Sequence, residues 1–159
     1  MEEFKVNQEK IFNPNFELDL EIGLLIIKSD NLEREDISSL FRQSNYEMKK
    51  NTFSEHIINV ITLNNVTKIN SRVLRGCKNL IEAHFTENIK TILNSSFQDC
   101  TSLALVDFVS TELDLSFAQD AFKGCPLITF YTTNQAAKEE IIEYSGYMGC
   151  PSAKVYLTM

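Results

Sequence analysis

Three polar side chains occupy matching places in three successive apolar segments of this chain. Thr62 is bracketed by Ile61 and Leu63, His84 by Ala83 and Phe85, and Asp107 by Val106 and Phe108. In a strand, alternate side chains face opposite ways, so apolar neighbours that face a core force Thr62, His84 and Asp107 outward as a row. A hydroxyl, an imidazole and a carboxylate in line suggest hydrolytic chemistry, with Asp107 orienting His84 as a general base. Nothing in the chain supplies the rest of such a site. There is no G-x-S-x-G turn and no sequence signal of an oxyanion hole, and the five glycines are too few and scattered for a nucleotide cradle. The chain is therefore read as non-catalytic. Together with Asn59, Glu82 and Leu105, the row is read as the sheet face on which a partner binds.

The thiols are the other reactive groups. Cys77, Cys100 and Cys125 are 23 (100 − 77) and 25 (125 − 100) residues apart, and none of the four cysteines forms a C-x-x-C pair. With only His56 and His84 as imidazoles, a zinc site is not expected. Side chains at equivalent positions of stacked units point in parallel, so these three cysteines are expected as reduced, buried, stacked thiols rather than disulfides. Cys150, in the Gly149-Cys150-Pro151 turn, is placed outside that ladder as the thiol most open to solvent. A minority reading makes it a nucleophile, without the base such a nucleophile needs.

Other charged groups have plainer explanations. Glu33, Glu35 and Asp36 suit the start of a helix, where the helix dipole favours carboxylates, better than a metal cluster. Lys138, Glu139, Glu140 and Glu143 read as a solvated helix face, and His56 as surface. No phosphate-binding glycine loop and no H-E-x-x-H pair is present, so no cofactor or metal is expected.

The elements that must position the row repeat. Each ladder cysteine follows a large apolar residue by eight positions (Ile69, Ile92, Phe117) and another by three (Leu74, Phe97, Phe122). Three positions later Leu80, Leu103 and Ile128 open the next unit, which runs as Leu80-x-x-Ala83-x-Phe85 and Leu103-x-x-Val106-x-Phe108, with Ile58-x-x-Ile61-x-Leu63 before them. A period of about 20–29 residues with one short strand per unit is the pattern of a leucine-rich-repeat solenoid. The segments INSRVLRGCKNL, ILNSSFQDCTSL and FAQDAFKGCPLI resemble the I-x-x-x-A-F-x-x-C-x-x-L half-repeat of the BspA-like leucine-rich repeats, over about residues 57–130. The resemblance departs from that pattern in the first unit, where Val73-Leu74 stands for Ala-Phe. It implies a protein-interaction or adhesion module, often at a cell surface or secreted, and usually without catalytic activity.

The expected fold class is an α/β solenoid: a short right-handed leucine-rich-repeat coil of about three repeats, capped at both ends. One domain spans 1–159, with an N-terminal strand and helix cap over 1–52, repeats over 53–129 and a C-terminal helix and strand cap over 130–159. Alternation from Phe16 to Ile22 predicts a strand, Leu24 to Ile27 a second short strand or the continuation of a bent one, and Leu32 to about Lys50 an amphipathic helix or a decayed earlier repeat. Asn134 is expected to N-cap a helix to about Tyr144, stopped by Gly146 and packing through Ala136, Ala137, Ile141 and Ile142. Val155-Tyr156-Leu157 is expected as a last strand. Single helical or 3₁₀ turns are expected around Ser95 to Phe97 and Gln119 to Phe122. Loops of varying length are expected at Asn64-Asn65, Thr86 to Asn88 and Val109 to Glu112. The predicted core is Ile69, Leu74, Cys77, Leu80, Ala83, Phe85, Ile89, Ile92, Phe97, Cys100, Leu103, Val106, Phe108, Phe117, Phe122 and Cys125.

Composition limits the partners. A net charge of −7 and an isoelectric point near 4.9 argue against nucleic acid, whose binding relies on Lys and Arg against phosphates. The N-terminus carries no basic-then-apolar leader pattern, and the longest apolar run, Gly23 to Ile27, is too short to span a bilayer. The expected partner is a protein, or a host or matrix surface if the chain is exported. A spacer or assembly unit is the alternative to a binding module.

Overall fold

A computed structural model of the protein describes residues 5–6, 10–19, 21–32 and 58–158. Among the described residues the main sheet has nine strands in the order β1 (Lys5–Val6), β2 (Lys10–Asn13), β3 (Phe16–Asp19), β4 (Leu24–Ile27), β6 (Val60–Leu63), β8 (Glu82–Phe85), β10 (Leu105–Phe108), β11 (Thr129–Thr132) and β12 (Lys154–Leu157). The first four strands are joined antiparallel. From β4 onward every pairing is parallel and the strands follow one another in chain order, as a coil that advances one rung per turn requires. A second parallel sheet, β5 (Asn31–Leu32), β7 (Lys68–Ile69) and β9 (Thr91–Ile92), runs along another side of the coil.

Among the described residues the parallel stack contains six strands, against about three repeats read from the cysteine spacing. Leu24–Ile27, Thr129–Thr132 and Lys154–Leu157 pair in register with the strands of the cysteine-spaced repeats. β4 and β11 bury every second side chain as the repeat strands do, and β11 follows the Cys125 motif directly, whereas β12 at the sheet edge has only Val155 half-buried.

β3 is shorter than its alternation suggests. The chain turns after Asp19, whose carboxylate accepts from the Glu21 N–H at 3.0 Å, and Gly23 takes a φ of 67°. Ile22 is left exposed on that turn instead of extending the strand. The Gly23 carbonyl then accepts from the N–H groups of Asn59 and Val60, which seats β6 beside β4. The helix or decayed repeat expected over Leu32 to Lys50 lies outside the described residues, except that Leu32 itself belongs to β5 and is fully buried.

The corners between the two sheets stack like strands. Leu74 N–H donates to the Ser96 carbonyl and Phe97 N–H to the Ala121 carbonyl, each at 2.8 Å. Residues at equivalent corner positions share a left-handed conformation: Arg72, Ser95 and Asp120 have φ of 61°, 58° and 56°. A helical turn cannot pass through such a residue. The expected single helical or 3₁₀ turns accordingly stay single turns closed by i to i+3 hydrogen bonds, the 3₁₀ pattern, as from Ser95 to Gln98 and from Asp120 to Lys123.

The core runs the length of the coil. Phe85 stacks on Phe108 with centroids 4.8 Å apart, and Phe97 stacks on Phe122 at 5.1 Å. Edge-on contacts of Phe85 with Phe97 and of Phe122 with Phe130 tie these two columns together. Each such pair adds about 0.5–1.5 kcal/mol beyond area burial.

Of the predicted core, Phe117 is the exception, at 61% exposed. Asp114 bridges Thr91, and its N–H donates to the Lys90 carbonyl at 2.6 Å, which sets Leu115 opposite Ile92. Leu115 is fully buried and is the true anchor of that coil. The two extra residues therefore fall after the anchor, at Ser116-Phe117, not before it. There Ser116 N–H is held by the Asp114 carboxylate at 2.9 Å.

Helix α1 (Gln135–Tyr144) begins as expected, with the Asn134 side chain accepting from Ala137 N–H at 2.9 Å. Ala137 and Ile141 pack inward, whereas Ala136 and Ile142 are exposed. Met148 takes the remaining buried place, and the left-handed residue beyond the helix is Gly149 rather than Gly146. Glu140 is no mere solvated charge, since its carboxylate accepts from Leu115 N–H at 3.0 Å and ties the helix to the third anchor.

Candidate binding face on the outer side of the sheet

Strands β4, β6, β8, β10 and β11 share one alternation, with every second side chain buried and the others half-buried on the outer side. The pairings carry this register across the sheet. Thr62 lies beside His84, His84 beside Asp107, Asp107 beside Tyr131, and Tyr131 beside Tyr156. The row read from the sequence is thus continuous, with Ile26 before it and two tyrosines after it. The Tyr131 and Tyr156 rings lie 5.7 Å apart at an interplanar angle of 27°. Tyr131 extends the row beyond Asp107, and its sequence signal is the alternation of Thr129 to Thr132, which turns Tyr131 outward.

The neighbouring outer row places Val60 beside Glu82, and Glu82 beside Leu105. Asn59 does not occupy a rung of it. It precedes β6, and its side-chain amide donates to the Ile22 carbonyl at 3.5 Å. Val60 takes the place beside Glu82 instead.

His84 is held from two sides. Nδ1 lies 2.8 Å from Asp107 Oδ2 on the next rung, and Nε2 lies 2.9 Å from Glu82 Oε2, two residues back on the same face. Two ionised carboxylates can be satisfied together only by a ring with both nitrogens protonated. Partial burial disfavours that charge, but the hydrogen bonds and charges of Asp107 and Glu82 outweigh it, so the pKa of His84 is raised above its ordinary value. The arrangement leaves no ring nitrogen free to take a proton from Thr62. Nε2, which a general base would use, is occupied by Glu82.

Cys150 is not the open thiol that its turn suggested. It is buried, and burial pushes its pKa up to about 12. Gly124-Cys125-Pro126 and Gly149-Cys150-Pro151 are the same turn 25 residues apart (150 − 125), so Cys150 is the fourth rung of the ladder. Burial likewise raises the pKa of Cys125. All four cysteines are free thiols.

Glu33, Glu35, Asp36 and His56 lie outside the described residues. Among the described residues, no group of three or more His, Cys, Asp or Glu side chains is placed to hold a metal ion, and no helix is long and apolar enough to cross a membrane.

No curated protein and no solved structure matches the chain. The family model for the BspA-type leucine-rich repeat region does match, in six copies over residues 26–154. That span takes in the parallel strands from Ile26 in β4 to Lys154 in β12 and includes every rung of the outer row from Thr62 to Tyr131. With its stacked parallel rungs, its cysteine ladder and this match over most of its length, the chain belongs to the BspA-type leucine-rich-repeat family.

Proposed function

We propose that this chain is a non-catalytic interaction module that binds a protein partner through the outer face of its sheet, around Thr62, Glu82, His84, Leu105 and Asp107, with Asn59 at its margin. In this reading the solenoid is a single domain. The antiparallel strands β1 to β3 close one end, and α1 with β12 closes the other. If the chain is exported, the partner is a host or matrix surface and the module serves adhesion or acts as a surface antigen. The observation that supports this reading best is the in-register outer row, where acidic, aromatic and apolar side chains stand on a rigid stack. Rigid, preorganised side chains lose little entropy on binding.

The test is capture of partners from the native cell with the unaltered chain, with Asp107→Lys and with Thr62→Lys. Both substitutions point away from the core, so the fold should be retained, as circular dichroism would verify. Loss of the same captured protein with both variants is the expected result. Undiminished capture by both folded variants would move the binding surface to the loops at Thr86 to Asn88 and Val109 to Glu112. A second reading, as an assembly unit, draws on β12, a sheet-edge strand that exposes Tyr156 and Leu157. Sedimentation that shows concentration-dependent self-association would favour it.

A further inference from the structure

We infer that the groove at the carboxyl ends of β8, β10 and β11 receives a cationic side chain, arginine above all, presented by the partner polypeptide. The inference rests on the binding-face reading and names the chemistry that the face selects. The groove has a volume of about 490 Å³, and its lining includes Glu87, Leu105, Asp107, Val109, Tyr131 and Thr133. That volume lies within the usual span of ligand clefts, roughly 300–1,000 Å³.

The lining carries two carboxylates and no lysine or arginine, in a chain of net charge −7. Asp107 meets His84 through one oxygen, Oδ2, and a carboxylate can accept at both of its oxygens. Tyr131 offers an aromatic ring beside these carboxylates, and Val109, 38% exposed, and Leu105 offer apolar surface next to it. A long side chain with an apolar stem and a cationic tip satisfies all of these at once. The stem lies on Leu105 and Val109, while the tip meets Asp107, Glu87 and the tyrosine face. Guanidinium fits better than ammonium because it is planar, stacks on aromatic rings and can pair with a carboxylate through two donors. An acidic or purely apolar segment would leave Glu87 without a counter-charge and Asp107 with His84 as its one cation.

The probe is a capped Gly-Gly-Arg-Gly-Gly peptide, compared with the same peptide carrying citrulline, which keeps the shape and loses the charge. Amide shifts of the isotope-labelled full chain are followed by NMR. Saturable shifts at Glu87, Val109 and Thr133 with the arginine peptide, absent with citrulline, are expected. Glu87→Gln and Tyr131→Leu should each weaken that binding about fivefold. Equal shifts with both peptides, shifts that spread over the whole acidic surface without saturating, or no shifts at the lining would overturn the inference. Failure here is separable from failure of the broader reading, because Thr62 lies outside the groove. Partner capture lost with Thr62→Lys, together with no arginine-specific shifts, discards the groove and leaves the face. Arginine-specific shifts with capture insensitive to Thr62→Lys keep the groove and discard the rest of the face.

Discussion

The thiol of Cys100 donates to the carbonyl of Leu74, 3.1 Å away on the preceding coil, and the thiol of Cys125 donates in the same way to Phe97 at 3.2 Å. Those two carbonyls also accept the N–H groups of Cys77 and Cys100 that close their own turns. A carbonyl has two lone pairs, and the ladder fills both. Cysteine suits the place because it is small enough for the corner and still brings a donor, which alanine and valine lack. Cys100→Ala should therefore cost about 1–3 kcal/mol in urea denaturation, from the lost bond and the cavity together. Alkylation of the folded chain should leave all four thiols unmodified until global unfolding. Rapid labelling of Cys150 in the native protein would remove it from the ladder.

Phe97 and Phe117 stand in similar sequence surroundings and should answer very differently to truncation. Phe97 is fully buried between Phe85 and Phe122, so Phe97→Ala should lose about 3–5 kcal/mol. Phe117 is mostly exposed, and Phe117→Ala should change stability by less than about 0.5 kcal/mol. Leu115→Ala should behave like Phe97→Ala. Paired thermal melts of the three variants decide between the two registers of that coil.

A column of left-handed residues makes a further prediction. Gly76, Asp99, Gly124 and Gly149 occupy equivalent corners with φ of 78°, 64°, 78° and 83°. Asp99 alone carries a side chain there, so Asp99→Gly should stabilise the protein by about 0.5–1 kcal/mol through relief of backbone strain. Gly149→Ala should do the opposite, because its Cβ would come within 2.6 Å of Lys123 Cβ and 2.8 Å of Lys123 Cα. A loss of about 1–3 kcal/mol is expected. Chemical denaturation of both variants at one pH checks the signs.

His84 should make stability weakly dependent on pH. Its folded pKa lies above the unfolded value of 6.5, so the folded state holds the proton more tightly. The stabilisation is complete below pH 6.5 and fades as pH rises through the raised folded pKa. The ring is 32% exposed and the pair is screened by solvent, so the effect is small and weakens with salt. An imidazole titration by NMR should place His84 above its ordinary range. Asp107→Asn should bring it down, because Asp107 supplies a hydrogen bond and a charge that raise it. A titration midpoint at or below 6.5 in the unaltered chain would show that the carboxylates do not clamp the ring.

Much of the fold was legible because its signals are local. Alternation in Val60–Leu63, Glu82–Phe85 and Leu105–Phe108 separates the inward residues from the outward ones, and the recurring Phe and Cys positions set the corners. Burial of one face needs only that each strand alternate, so the row of Thr62, His84 and Asp107 follows from the pattern alone.

Spacing could not decide which coil residues lie opposite one another. Phe117 keeps the eight-residue distance to Cys125 and is still exposed, because the Thr91 to Asp114 pairing puts Leu115 against Ile92 and pushes the two extra residues outward. Cys150 looked separate because helix α1 intervenes in the chain, although its coil stacks directly on that of Cys125. The Glu82 side of the His84 clamp depends on how two half-buried side chains lean on the same face, which alternation does not specify. Sequence by itself determined which residues face inward along each strand, since that depends on neighbours one and two positions away. Only the tertiary structure decided the register between coils and the groove beside Asp107, since these depend on hydrogen bonds between residues more than twenty positions apart.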